Sequence, residues 1–277
     1  MPQPAPMAAT EAKAHERGSE PWRYATAADL DASPIERLRR VPREPDMLLC
    51  ALRWMTETLV RLWLRLYHRF STTGVDRLPV SGSFIMVCNH ASHLDALCLR
   101  AALPMRRLDR AFAAAAEDYF FTTPLGAIFA VLSANAVPFG RRRRVRTSLT
   151  GCSRLLAEDG VVLMIFPEGT RSKDGALGPF KPGVAMLALE TGVPVVPCYL
   201  EGAAAAWPKG ARWPRPRRVC LHIGPPLGWT AATAQAPASH REALTRICNE
   251  LRREIERLAV EATGGVPAGA PREESAT

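Results

Sequence analysis

A histidine and an aspartate lie five positions apart at the end of an apolar run in the sequence. Residues 84–95 read FIMVCNHASHLD, so His90 and Asp95 follow the apolar residues directly. A carboxylate at this spacing can hold one imidazole nitrogen while the other nitrogen faces outward and accepts a proton. The sequence therefore predicts His90 as a general base that Asp95 orients.

Two other chemistries are open to the same segment. Ser92 is a candidate nucleophile that a histidine would activate, although no Gly-x-Ser-x-Gly turn surrounds it. His90, His93 and Asp95 are a candidate metal-ligand set, although the short step from His93 to Asp95 suits one metal poorly on a helix. We expect neither chemistry, and we expect His93 to stabilise the loop.

A second polar segment follows another apolar run. Residues 161–172 read VVLMIFPEGTRS, in which Gly169 permits a turn and Arg171 offers a planar guanidinium that suits a phosphate. Glu168 is expected either to fix this arginine or to bind a substrate hydroxyl. A purely structural salt bridge between Glu168 and Arg171 is the alternative.

Basic residues are concentrated in two further segments. Residues 135–146 read NAVPFGRRRRVR, and residues 209–218 contain five cations and no acidic residue, with Trp207 and Trp213 close by. The whole chain carries 36 Lys and Arg against 27 Asp and Glu, a net charge of +9. This charge favours an anionic partner, which is a nucleic acid, an acidic lipid surface or a phosphorylated substrate. Because no recognised nucleic-acid module is present, we expect no nucleic acid.

Strands and helices are predicted to alternate between these segments. Short apolar runs predict the strands, and stretches of about ten residues predict the helices between them. The alternation predicts an α/β fold with a single sheet of substantial parallel content, flanked by helices. Polar residues that follow the strands then meet at one edge of the sheet, beside helix N-termini that favour anions. The predicted strands are 83–88, 111–115, 135–139, 161–166, 193–200 and 219–223, and the predicted helices are 94–103, 124–132, 147–158, 183–191 and 242–261.

Residues 46–70 predict an N-terminal amphipathic helix that associates with a membrane. Leucines and Met55 recur at helical spacing, and the opposite face carries a row of charged residues, namely Arg53, Glu57, Arg61, Arg65 and Arg69. Trp54, Trp63 and Tyr67 add rings typical of the lipid headgroup boundary. We expect the helix to lie in the membrane interface without crossing it, with its charged side chains in water. A helix that packs the apolar stripe on the protein's own core is the alternative.

The remaining segments set the bounds of the folded part. Residues 1–45 and 262–277 are rich in Ala, Pro and charge, and they predict a disordered leader and a disordered tail. Seven scattered cysteines without a CxxC spacing predict buried thiols in a reducing cytoplasm. Neither a signal peptide nor a simple transmembrane span is expected.

The polar segments together resemble the glycerolphosphate and lysophospholipid acyltransferases, a family typified by lysophosphatidate acyltransferase. The resemblance assigns 71–230 to an acyltransferase domain. Residues 231–261 are predicted to form a C-terminal linker and helix. Asn135 departs from the family pattern, in which glycine is frequent at this position. Four motifs carry the resemblance in family order, namely NHASHLD at 89–95, VPFGR at 137–141, FPEGTRS at 166–172 and VPVVP at 193–197.

The resemblance implies transfer of a fatty acyl chain from acyl-CoA or acyl-carrier protein to a lysophospholipid hydroxyl. Lysophosphatidate is the expected acceptor and phosphatidate the expected product. His90 would deprotonate the hydroxyl and Asp95 would orient the imidazole, with no acyl-enzyme, metal or cofactor. The other implied roles are phosphate binding by Arg141 and Arg171, shaping of the substrate site by Glu168, Gly169 and Thr170, and an acyl-pocket wall at Pro197.

Two other functions remain open. Similar motifs occur in enzymes that acylate other lyso-lipids, such as a lyso-ornithine lipid or a glycolipid. A basic membrane- or nucleic-acid-binding protein without catalysis is the alternative from a different class, and the intact pair of His90 and Asp95 argues against it. We therefore expect a peripheral enzyme at the cytoplasmic face of the membrane, with membrane lipids and the acyl donor as partners.

Overall fold

The computed structural model describes residues 47–116, 135–139, 145–172, 175–229 and 239–264. Seven strands form one sheet within these residues, in the order β1-β7-β6-β2-β5-β3-β4. Only the β6–β7 pair is antiparallel among these strands, so the prediction of one largely parallel sheet is confirmed. The strands are β1 (Ser71–Thr73), β2 (Phe84–Cys88), β3 (Ala111–Ala116), β4 (Val137–Phe139), β5 (Val162–Ile165), β6 (Val195–Glu201) and β7 (Cys220–Ile223).

Helices cover both faces of the sheet, as predicted. The described helices are α1 (Met47–Tyr67), α2 (Asp95–Ala102), α3 (Val145–Leu156), α4 (Gly183–Thr191), α5 (Ala203–Ala206) and α6 (His240–Thr263). One buried cluster joins α1 and α2 to one face of the sheet, and a second cluster joins α3, α4 and α6 to the other face. The helix predicted at 124–132 lies outside the described residues.

Strand β2 brings the first polar segment to the edge of the sheet. All five residues of Phe84–Cys88 are buried, as expected for a parallel strand that is covered on both faces. Val87 pairs with Ile165 of β5, and Cys88 pairs with Cys198 of β6. Since β2 and β5 end at the same level, the residues that follow them converge.

The first helix lies within its predicted bounds. Its contacts with the rest of the protein come from the side that carries Arg53 and Glu57. Arg53 and Glu57 are 6% and 3% exposed, so the expectation that they lie in water is wrong. The apolar side chains of the predicted stripe point outward instead, and their exposed fractions are 39% for Leu52, 55% for Met55, 59% for Leu59, 52% for Leu62 and 70% for Leu66. The alternative in which this stripe packs on the core is therefore also wrong.

A buried charge cluster explains why Glu57 points inward, whereas Arg65 and Arg69 of the same row are exposed. The Glu57 carboxylate accepts hydrogen bonds from Arg100 Nε of α2 at 3.2 Å and from Arg61 Nε at 3.0 Å. Arg61 also donates to the carbonyl oxygens of Arg100 and Leu103, at 3.1 and 2.7 Å, where α2 ends. Arg100 is 1% exposed, so Glu57 supplies the partner that a buried guanidinium requires.

Three smaller features complete the fold. Within the described part of the chain, no helix is long and apolar enough to cross a membrane. Six cysteines are free and buried there. Asn135 adopts a left-handed backbone conformation, with φ at 44°, which explains how it stands where the family often has glycine.

Candidate active site

Asp95 holds the loop that follows β2. It is the first residue of α2 and is 1% exposed. Its Oδ2 atom accepts hydrogen bonds from His90 Nδ1 at 2.7 Å and from the backbone N–H groups of Ala91 and Ser92 at 2.8 and 2.9 Å. Negative charge is also favoured at a helix N-terminus. One carboxylate oxygen therefore fixes both the imidazole and the backbone beside it.

The position of Asp95 determines the tautomer of His90. An ionised carboxylate only accepts hydrogen bonds, so Nδ1 carries the proton and Nε2 carries the lone pair of a neutral imidazole. The His90 ring stacks on Phe166, with centroids 4.2 Å apart and planes at 17°. The side chain remains 24% exposed. These contacts leave a rigid, partly exposed imidazole whose second nitrogen can accept a proton.

Ser92 has a structural role in this geometry. Its hydroxyl donates to the carbonyl of Trp207 at 2.8 Å and accepts from the N–H of Leu94 at 3.1 Å. The residue is 1% exposed. These bonds tie the loop to Trp207. They occupy the hydroxyl with backbone partners, which does not suit a nucleophile.

His93 contacts Arg171 rather than joining His90 around an ion. The guanidinium of Arg171 donates to His93 Nε2, and the His93 ring lies 5.1 Å from the ring of Trp207. Burial, reinforced by the positive charge of Arg171, lowers the pKa of His93 to about 4. His93 is therefore neutral at pH 7 and accepts this hydrogen bond. No three His, Cys, Asp or Glu side chains are placed to hold a metal in the described ranges.

Glu168 clamps two backbone segments. Its carboxylate accepts hydrogen bonds from the N–H groups of His90 and Gly178, each at 3.0 Å. Burial raises the pKa of Glu168, and these two hydrogen bonds oppose the rise. Each carboxylate oxygen of Glu168 thus bonds to a backbone N–H group, and the pairing of Glu168 with Arg171 or with a substrate hydroxyl stays a prediction.

The turn after β5 brings further groups to residues 89–94 between β2 and α2, the candidate catalytic loop. The N–H of Ser172 donates to the carbonyl of His90 at 2.8 Å. Gly169 has a φ of 69°, and a Cβ added there would lie 2.5 Å from Nζ of Lys181. Gly169 therefore permits both the turn and the close approach of a lysine amine.

The other predicted site residues are Thr170, Pro197 and Arg141. Thr170 is exposed beside the turn. Pro197 is buried in β6 opposite Val87, and its carbonyl accepts the N–H of Gly224 at 2.8 Å. Its role in an acyl pocket stays a prediction. Arg141 lies outside the described residues. The structure thus brings His90, Asp95, Glu168, Gly169 and Arg171 together.

The contact between His93 and Arg171 and the clamp formed by Glu168 were missed by sequence reasoning. The second histidine of the HASH segment was the available signal for the first contact. No residue type in the sequence indicates the clamp, because the partners of Glu168 are backbone N–H groups.

Sequence comparison relates part of this chain to known acyltransferases. Residues 69–201 match the family model described as Acyltransferase. The chain is 32% identical over 149 residues to a 1-acyl-sn-glycerol-3-phosphate acyltransferase of Limnanthes douglasii, covering 53% of this chain and 52% of that protein. It is 33% identical over 132 residues to the human 1-acyl-sn-glycerol-3-phosphate acyltransferase beta, covering 47% and 45% of the two chains. The chain spans about half the length of the curated relatives it matches.

A solved structure extends the similarity to the fold. The crystal structure of the 1-acyl-sn-glycerophosphate (LPA) acyltransferase PlsC from Thermotoga maritima superposes with a TM-score of 0.58 at 25% identity. The match covers 81% of this chain and 87% of that one. Residues 69–201, which match the family model, include the loop of His90 and Asp95 and the turn of Glu168 and Arg171. Residues 69–201 therefore resemble the acyltransferase family, and the chain is similar to the 1-acyl-sn-glycerol-3-phosphate acyltransferases.

Proposed function

We propose that the protein is an O-acyltransferase that moves a fatty acyl chain from a thioester to the hydroxyl of lysophosphatidate, giving phosphatidate. The observation that carries the proposal is the His90–Asp95 pair, with Nδ1 held at 2.7 Å and the ring 24% exposed. The names of the relatives support the choice of lysophosphatidate as acceptor. The donor is acyl-CoA or acyl-carrier protein.

The reaction follows from the tautomer of His90. Nε2 takes the proton of the acceptor hydroxyl while the oxygen attacks the thioester carbonyl. The C–O bond forms, the C–S bond breaks, and the thiolate leaves and takes the proton back from the imidazolium. Asp95 stabilises that imidazolium because its carboxylate bonds to Nδ1. No acyl-enzyme forms on Ser92, whose hydroxyl is used by Trp207 and Leu94.

Arg171 is proposed to bind the acceptor phosphate. Its guanidinium is held beside the catalytic loop by His93, which stays neutral at pH 7 and does not repel it. Arginine suits a phosphate because its planar N–H groups make charge-assisted, often bidentate, hydrogen bonds. The acceptor class thus depends on this residue.

Arg171→Ala is expected to lower kcat/KM for lysophosphatidate by about 10- to 150-fold, the equivalent of about 1.5–3 kcal/mol. The measurement uses one labelled acyl-CoA with lysophosphatidate, a lyso-ornithine lipid and a lyso-glycolipid as acceptors. Exposed Arg154 of α3, changed to alanine, serves as the control. Equal losses for phosphorylated and unphosphorylated acceptors contradict the role of Arg171. A wild-type preference for an unphosphorylated acceptor would replace lysophosphatidate with that lipid.

We also propose that α1 docks the protein on a bilayer as a peripheral enzyme at the cytoplasmic face. The support is the outward apolar stripe, in which Leu59 and Leu66 are 59% and 70% exposed. Such a stripe can enter the acyl boundary while Glu57 of α1 stays paired with Arg100 of α2. The buried free cysteines agree with a reducing compartment.

The double variant Leu59→Asp/Leu66→Asp is expected to lose flotation with phospholipid vesicles, because two carboxylates would have to enter the apolar layer. The matched control is Val80→Asp/Val260→Asp, which adds the same charge at valines that are 82% and 50% exposed outside α1. If the α1 variant floats with vesicles as the wild type does, the proposal that α1 anchors the protein is wrong.

A further inference from the structure

A basic loop, residues 207–218, connects α5 to β7. Its sequence, WPKGARWPRPRR, has five cations and no acidic residue. The cations Lys209, Arg212, Arg215, Arg217 and Arg218 are all exposed. The function proposed above assigns no role to this loop.

The loop is attached to the catalytic loop at one end. The carbonyl of Trp207 accepts the Ser92 hydroxyl at 2.8 Å, and its ring contacts His93. A single β-bridge also joins Ser92 to Pro208. The basic loop therefore cannot move far without moving the segment that carries His90.

The other end of the loop is attached to the end of α1. The Tyr67 hydroxyl donates to the carbonyl of Pro214 at 3.1 Å, and His68 Nδ1 contacts the carbonyl of Arg217 at 3.2 Å. The N–H of Val219 donates to the carbonyl of His68 at 3.1 Å. The basic loop thus continues the surface that begins with the exposed stripe of α1 and reaches the catalytic loop.

Between these attachments the loop presents Trp213. This side chain is 71% exposed, and the guanidinium carbon of Arg212 lies 5.6 Å from its ring centroid. An exposed indole beside arginines is suited to the boundary between lipid headgroups and acyl chains. Several cations near a surface of anionic lipid add electrostatic attraction that falls off within a Debye length.

We propose that the basic loop is a second membrane contact, which binds anionic phospholipid and seats the His90 site against the bilayer. The inference rests on the proposed function, because it places the site where a lyso-lipid acceptor resides. The exposed indole and the continuity with α1 favour a lipid surface over nucleic acid or an acidic protein.

The test uses the full chain and vesicles of phosphatidylcholine, alone or mixed with phosphatidylglycerol. Arg215→Gln/Arg218→Gln is expected to weaken binding to the mixed vesicles by about tenfold and to leave binding to neutral vesicles unchanged. Added salt should narrow the difference from the wild type. The charge-matched control is Arg241→Gln/Arg253→Gln on the exposed side of α6, which covers the other face of the sheet.

Trp213→Ala is expected to weaken binding to both kinds of vesicle, since the indole contacts lipid of either charge. Turnover of a short-chain, monodisperse acceptor should be unchanged in all of these variants.

A loop variant that binds vesicles like the wild type overturns the proposal, as does one that loses turnover of the monodisperse acceptor. Loop-dependent binding of a DNA duplex or of acyl-carrier protein, with vesicle binding unchanged, also overturns it. If vesicle binding depends on the loop but the wild-type protein transfers no acyl chain, the membrane contact is supported and only the proposed function is wrong.

Discussion

His90→Ala is expected to lower acyl transfer by about 10²–10⁴-fold, the usual contribution of a general base. The physical reason is the loss of Nε2, the nitrogen that the Asp95 contact leaves free to accept a proton. The measurement is kcat with saturating acyl donor and acceptor. Circular dichroism and the thermal midpoint check that the variant is folded.

Two further variants distinguish the role of His90 from the roles of Asp95 and Ser92. Asp95→Asn should also lose most of its activity, since an uncharged amide stabilises the imidazolium less well. Ser92→Ala should keep substantial turnover, because among the described residues its hydroxyl bonds to Trp207 and Leu94, which are structural contacts. Wild-type turnover in a folded His90→Ala protein would contradict the mechanism, and an inactive but folded Ser92→Ala protein would reopen the acyl-serine alternative.

Glu57→Ala is expected to lower the free energy of unfolding by about 3–5 kcal/mol, the cost of breaking a buried ion pair from one side. Glu57 and Arg100 are 3% and 1% exposed, so the variant leaves a guanidinium buried without its carboxylate. Arg61 loses the same partner. Urea unfolding measures the change.

The controls for this prediction come from the same chain. Glu57→Met/Arg100→Met removes both charges and should cost less than Glu57→Ala, because the most deeply buried guanidinium is removed together with its carboxylate. Glu256→Ala breaks the exposed pair with Arg252 and should cost less than about 1 kcal/mol. A Glu57→Ala protein as stable as Glu256→Ala would show that the buried pair does not hold α1 to α2.

Much of the sheet could be predicted from the sequence because its strands are buried on both faces. The continuous apolar run of β2 and the polar residues after it identified both a strand and the place of the site. His90 and Asp95 were predictable for a related reason, since their contact is local and crosses a single turn. Glu168 could be placed in the turn after β5, but its contacts with backbone N–H groups could not be predicted.

The orientation of α1 could not be predicted because a helical pattern defines two faces without saying which one the protein covers. Arg100 decides the matter, and nothing in the local sequence of α2 marks that arginine as buried. Strand β1 was missed because Ser71–Thr73 is short and polar and lies at the edge of the sheet. The antiparallel direction of β7 likewise depends on tertiary pairing with β6.

The pairing of β1 with β7 has a consequence for the order of folding. Thr73 and His222 lie side by side in the sheet but are 149 residues apart in the chain. At ordinary synthesis rates the ribosome needs about 7–30 s to make that stretch. Contacts between such distant residues also form slowly after synthesis. The edge at β1 therefore closes late, and α1 is made well before the strand that fixes the segment following it.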